Sequence, residues 1–180
     1  MKGVQLSKSD SKQMLKELIR NSKRVQKYLV PGNLILTMYD AKYEAPYDAR
    51  PLFLVLAKNS THVLGLNFHW LPISMRMKLI YAILKLNSKN IKEKKPLVFS
   101  FKQLKPFLKR FNYVPCVRLY IRERFAPKGA VISPEDLVKV SRMDTAIFTG
   151  ISAEKAYALA RTKYRFKRSQ WVSCYTGNNW

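Results

Sequence analysis

The stretch LFLVLAKNSTHVLGLNFHWLP, residues 52–72, decides the fold. Leu52 to Ala57 is an apolar run that suits a pleated surface, and Asn59-Ser60 supplies a turn before a second run from His62 to Trp70. Toward the N-terminus, Asn33 to Tyr39 reads as another strand, entered through Pro31-Gly32, a pair that no helix continues through. Three strands with short connections predict an α+β fold: a small antiparallel β-sheet or SH3-like barrel flanked by helices. This β-module, residues 31–75, belongs to a core spanning 31–150. A basic N-terminal helix or arm (1–30) precedes it, and a basic helix and tail (151–180) follow.

The module is also where the charge is absent. Across residues 31–75, Lys42, Arg50 and Lys58 balance Asp40, Glu44 and Asp48, so the formal +23 of the 180-residue chain lies entirely outside it. Residues 76–124 are the principal cationic region, with fourteen Lys or Arg against Glu93 and Glu123, a net +12. Self-repulsion at this charge disfavours a free compact state, so a phosphate-rich partner is the economical explanation.

Composition narrows the class. At 47% hydrophobic and 12% aromatic the chain is too apolar for a disordered condensing protein, and its length suffices for a buried core. Its apolar stretches are broken well before the roughly 20 residues a bilayer crossing needs, so no membrane role is expected. The start lacks an apolar signal core, and Asp10, Glu17 and the excess of Lys over Arg argue against a transit peptide. Cys116 and Cys174 are too far apart to suggest a disulfide framework or a zinc site, and a reducing compartment is the default.

Around the module the periodicity changes to helical. Leu15, Leu18, Val25 and Leu29 predict a basic amphipathic helix over residues 10–29, with Asp10 and Gln13 spaced for a cap. Ile73 to Leu86 predicts a second, capped by Ser74 and striped by Met77, Ile80, Ile83 and Leu84. A basic connection follows over 85–95. Leu97 to Phe99 then leads to the capping-box pair Ser100 and Gln103 and a short helix whose apolar face is Leu104, Phe107, Leu108 and Phe111. Val117, Leu119 and Ile121 alternate with Arg118, Tyr120 and Arg122, which predicts a half-buried strand with one basic face. Ser133-Pro134-Glu135-Asp136 and Ser152 mark two further helix starts.

The candidate phosphate contacts follow from this order. They are Lys89, Lys92, Lys94 and Lys95 in the connection, Lys102, Lys105, Lys109 and Arg110 on the short helix, and Arg118 and Arg122 on the strand. The tail adds Arg161, Lys163, Arg165, Lys167 and Arg168, interleaved with Tyr164 and Phe166 and followed by Trp171 and Trp180. Charge runs are usually solvated surface and aromatics usually packing; what favours contact here is the scarcity of carboxylates to neutralise them.

Catalytic chemistry finds little support. Asp40, Glu44 and Asp48 would converge on a metal only from a helix, which Pro46 disfavours, so no metal or other cofactor is expected. Asn67 and His69 share one strand face. His69 could act as a general base, but no nucleophile or metal partner accompanies it. A structural histidine, hydrogen-bonded to the Asp40 to Asp48 loop, is the better reading.

Tyr47-Asp48-Ala49-Arg50-Pro51, leading into the apolar Leu52 to Leu56, and Leu64-Gly65-Leu66-Asn67-Phe68-His69-Trp70-Leu71-Pro72 together resemble a pattern of virion-associated proteins of T4-like tailed bacteriophages, of the DNA end protector type. Val114-Pro115-Cys116-Val117 and the Ser133 helix start fit its order. The resemblance covers roughly residues 31–140 and is sharp over about 25 of them. It implies motif positions at Asp48, Pro51, Gly65, Asn67, His69 and Pro72, and a place in the virion, reached from the host cytoplasm during assembly.

The expected function is a noncatalytic structural protein of such a virion. It would bind DNA phosphates, at genome ends or near the head-tail connection, as part of a larger assembly with other virion proteins. A tail, baseplate or neck assembly protein that meets acidic protein neighbours is one alternative. A ribosomal or other RNA-binding protein, consistent with a pI near 10.2, is the other.

Overall fold

A computed structural model of the chain describes residues 4–40, 48–93 and 101–166, apart from the side chains of Ile91, Arg165 and Phe166. In chain order the elements are α1 (Lys8–Arg20), β1 (Lys23–Arg24), β2 (Leu34–Tyr39), β3 (Leu52–Lys58), β4 (His62–Asn67), α2 (Ile73–Leu86), α3 (Ser88–Lys92) and α4 (Phe101–Arg110). There follow β5 (Val117–Ile121), β6 (Phe125–Val131), α5 (Leu137–Ser141), α6 (Ala146–Thr149) and α7 (Ala153–Phe166), with short 3-10 turns between several of them.

The α+β class is realised as one open antiparallel sheet in the order β1-β6-β2-β3-β4-β5. The three strands of the sequence reading are its centre. No barrel forms, because β6 extends the β2 side and β5 the β4 side, leaving β1 and β5 as separate edges. The residues explain why one face does not simply curl on itself. Leu34, Leu36, Leu52, Leu54, Leu64 and Leu66 point into a large cluster with the helices, while Ile35, Phe53, Val55 and Val63 feed a smaller cluster on the opposite face. Both faces are apolar, so both need a cover.

The second cover corrects the reading of residues 10–29. Helix α1 is capped by Ser7, whose Oγ accepts from the Asp10 amide at 3.1 Å and donates to its carboxylate at 2.7 Å, and it ends at Arg20 rather than at Pro31. Its Met14 faces the helical cluster. The chain then crosses to the other side of the sheet, where Val25 and Leu29, both fully buried, close the smaller cluster. A continuous helix would have kept those two residues on one stripe and left the second face wet. Gly129 makes the crossing tight, since a Cβ there would meet Val25 at 2.6 Å and Thr37 at 2.7 Å.

Strand β6 itself escaped the sequence reading. Phe125-Ala126-Pro127-Lys128-Gly129 contains proline and glycine, residues that read as punctuation, yet β6 pairs with β2 from Ile35↔Val131 to Tyr39↔Phe125 across a register shift.

The predicted helices stand near their expected places. Helix α2 starts at Ile73 with Pro72, not Ser74, as its cap residue. Ser133 Oγ accepts from the Asp136 amide at 3.3 Å, opening the turn into α5, and Ser152 Oγ accepts from the Lys155 amide at 3.3 Å at the start of α7. The Ser100 cap and the Leu97 to Phe99 segment lie outside the described residues. No helix among the described residues is long and apolar enough to cross a membrane.

Candidate nucleic-acid interface

Two constellations emerge, one buried and one exposed. The buried one is the motif at the end of β4. Asp48 Oδ2 accepts from Asn67 Nδ2 at 2.9 Å and lies 3.0 Å from His69 Nδ1, and its Oδ1 accepts from the Arg50 amide at 3.3 Å. Asn67 Oδ1 in turn accepts from the His69 amide at 2.9 Å, capping the 3-10 turn Phe68–Trp70. The imidazole is fully buried and stacks on Phe148 with centroids 4.0 Å apart. The expected tie between His69 and the Asp40 to Asp48 loop is therefore present, through Asp48. Its other members serve the packing: Pro51 is buried, and a Cβ on Gly65 would meet the Phe53 ring at 2.7 Å and the Tyr120 ring at 2.9 Å.

The second imidazole nitrogen is buried with no protein partner among the described residues, and no group of three or more His, Cys, Asp or Glu that could hold a metal occurs among them. Nearby, Arg76 is buried and invisible to sequence reading as anything but one more cation. Its guanidinium donates to Leu71 O at 2.7 Å, Met143 O at 3.0 Å and Thr145 Oγ1, tying α2 to the segment after α5. Burial lowers its pKa to about 10, and the charges of Glu154, Asp144 and Asp48 oppose the shift, so it is charged at neutral pH.

Two cations predicted for the strand are engaged by the protein itself, one buried and one half-buried. Arg118 is 8% exposed, with its guanidinium carbon over the Trp70 ring, 3.7 Å from the ring centre, a cation–π contact that an arginine makes well. Arg122 donates to Asn59 O at 3.2 Å, Ser60 O at 2.9 Å and Gln26 Oε1 at 3.3 Å, fastening the β3–β4 turn to the segment that covers the second face. The alternation in β5 is thus displaced from its predicted faces. Tyr120 is buried in the smaller cluster, where desolvation raises its phenol well above the ordinary value, and Leu119 is 38% exposed.

The exposed constellation is built on α4. Leu104 and Leu108 are buried, which leaves Lys102, Lys109 and Arg110 exposed and Lys105 half-buried with its ammonium 5.8 Å from the Phe101 ring centre. The helix stops where Asn112 takes a left-handed φ of 60° and the Tyr113 amide returns to Leu108 O at 2.9 Å. That stop brings three helices together. Tyr113 donates its hydroxyl to Met75 O of α2 at 2.8 Å, and Tyr157 of α7 donates to Asn112 O at 3.0 Å.

Cations converge on the junction. Lys78 of α2 lies 3.6 Å from the Phe111 ring centre, Arg110 lies 5.3 Å from the same ring, and Arg161 of α7 lies 5.8 Å from the Tyr157 ring. Among the described residues no carboxylate is within 4.0 Å of Lys78, Lys102, Lys109 or Arg110. The chain supplies none locally, since no Asp or Glu occurs between Glu93 and Glu123.

Of the predicted contacts, Lys102, Lys105, Lys109 and Arg110 lie on α4 and Arg161 stands beside Tyr157 on α7, with Lys89 and Lys92 exposed on α3. Lys163 is half-buried on α7, and Lys94, Lys95, Lys167, Arg168 and the Arg165 side chain lie outside the described residues. The sequence reading missed Lys78, Phe111 and Tyr157. Only the i, i+3 and i+4 pattern around Lys78 could have signalled it. Family models, curated proteins and solved structures give no match to the chain.

Proposed function

We propose that the chain is a noncatalytic protein that binds nucleic-acid phosphates through the surface formed by α2, α4 and α7. The observation that carries this reading is that Lys78 and Arg110 stand over Phe111 and Arg161 beside Tyr157, with Lys102 and Lys109 exposed on α4, and that among the described residues no carboxylate lies within 4.0 Å of these cations. Cations left unpaired on a folded surface repel one another, and a polyanion relieves that repulsion by releasing its condensed counterions. Phosphate contacts position a protein without reading sequence, so binding should be general. DNA in a tailed-phage virion, at genome ends or near the head-tail connection, is the specific form of the proposal. The resemblance of residues 47–72 supports that form.

The test is binding to blunt-ended duplex and to closed circular DNA across a salt series. About five phosphate contacts give a log-log slope of about −4.5, and Lys102→Gln, Lys109→Gln and Arg110→Gln together should flatten it by about 2.7. Preference for ends supports the end-protecting form, and equal binding leaves general DNA contact. Stronger binding to matched RNA favours a ribonucleoprotein role, and no binding at low salt refutes the proposal in favour of an acidic protein partner.

A further inference from the structure

The most exposed aromatic among the described large hydrophobic residues stands on α2 between two exposed lysines. Tyr81 is 72% exposed on the outer face of α2, where no packing explains a phenol ring. Lys78 precedes it by three residues and Lys85 follows by four. On an α-helix both lie within about 60° of Tyr81 around the axis, about 4.5 Å below it and about 6 Å above it. Both lysines are exposed, and Lys78 joins this face to Phe111 and Arg110 of α4. No Asp or Glu occurs between Asp48 and Glu93, so nothing on α2 repels a phosphate.

A backbone-binding surface for intact duplex requires only cations, because the bases are stacked inside. A protruding ring between two cations is the arrangement for a strand whose bases are open: the ring offers a π-face to a base and the flanking charges hold adjacent phosphates. We infer that the outer face of α2 binds single-stranded nucleic acid, with Tyr81 stacking on an unpaired base and Lys78 and Lys85 on the flanking phosphates. The inference rests on the phosphate-binding reading above and extends it to the open strands at a frayed or overhanging end. Charge complementarity selects a polyanion for this face, and the exposed ring between the lysines favours a nucleic acid over an acidic protein.

The experiment compares a fluorescein-labelled oligothymidylate with a blunt duplex of the same length, titrated with wild type, Tyr81→Ala, Tyr81→Phe and Lys85→Gln. Tyr81→Ala should weaken single-strand binding roughly 5- to 150-fold while leaving duplex affinity and Tm unchanged. Tyr81→Phe should retain it, since the face and not the hydroxyl is used. Lys85→Gln should lower the single-strand salt slope by about 0.7. Unchanged single-strand affinity in Tyr81→Ala, or an equal loss on duplex, overturns the stacking role and leaves phosphate binding standing. Failure of the wild type to bind either probe overturns both readings, and points Tyr81 toward a protein partner.

Discussion

The buried motif around Asp48 and the basic surface around α4 are both polar clusters on the same scaffold, and they differ in where their partners come from. Asp48, Asn67 and His69 hydrogen-bond one another inside the protein, although the second imidazole nitrogen has no partner among the described residues, whereas Lys102, Lys109 and Arg110 have no carboxylate of the described residues within 4.0 Å. A buried polar group left unpaired is costly, so a motif that closes on itself is explained by folding. An exposed charge costs little, so a cluster without internal partners is explained from outside. The contrast ties the first region to stability and leaves the second as the surface of the proposed recognition.

The sharpest way to break this division is to attack the buried polar groups. Arg76→Leu removes the donor to Leu71 O, Met143 O and Thr145 Oγ1 at once and should cost about 4 kcal/mol in urea unfolding. Arg76→Lys should recover only part of it, because an ammonium cannot reproduce the fork. Asp48→Ala comes next: it strands the Asn67 amide and the His69 imidazole and should cost about 3 kcal/mol, with DNA affinity and salt slope of the folded protein unchanged. A stable Asp48→Ala protein that no longer binds DNA would end the division, placing recognition in the motif.

Alkaline pH acts on the interior first. Burial pushes the Cys116 thiol from its ordinary 9.0 up to about 12 and raises the Tyr113 and Tyr120 phenols. The unfolded chain therefore releases these protons before the folded one does. Stability is at its full value below pH 9 and falls as pH rises, by up to about 1.4 kcal/mol per unit for each group released. In a Cys174→Ser background, thiol labelling of Cys116 at pH 8 should proceed only through unfolding. Rapid labelling of native protein would show that this region opens. The smallest stability effect belongs to the surface: the Lys102, Lys109 and Arg110 triple variant should unfold within about 0.5 kcal/mol of wild type while losing salt slope.

Legibility followed the same line. The central strands were readable because their short apolar runs are bounded by the turn residues Pro31-Gly32 and Asn59-Ser60, and the helix starts at Ser133 and Ser152 because a short polar side chain before a helix has one dominant use. The tie of His69 to Asp48 was readable as a pairing need, since an ionisable residue in an apolar strand requires a partner. The crossing at Asn21 was not, because Leu15, Leu18, Val25 and Leu29 keep helical spacing although the last two serve another face. Nor was the fate of Arg118, whose side chain is indistinguishable in sequence from one facing water.

What the sequence determined by itself was local and additive: the α+β composition of elements, the neutral module, and the excess of cations after it. Each depends on periodicity or on a sum of charges, quantities a linear chain already contains. Only the tertiary structure decided that the sheet stays open, that Arg76, Arg118 and Arg122 are engaged by the protein itself, and that Lys78 and Arg110 meet at Phe111. These outcomes depend on which faces compete for the same cover. The junction exists because Tyr113 and Tyr157 spend their hydroxyls on carbonyls of neighbouring segments, contacts 38 and 45 residues apart in the chain that no local pattern encodes.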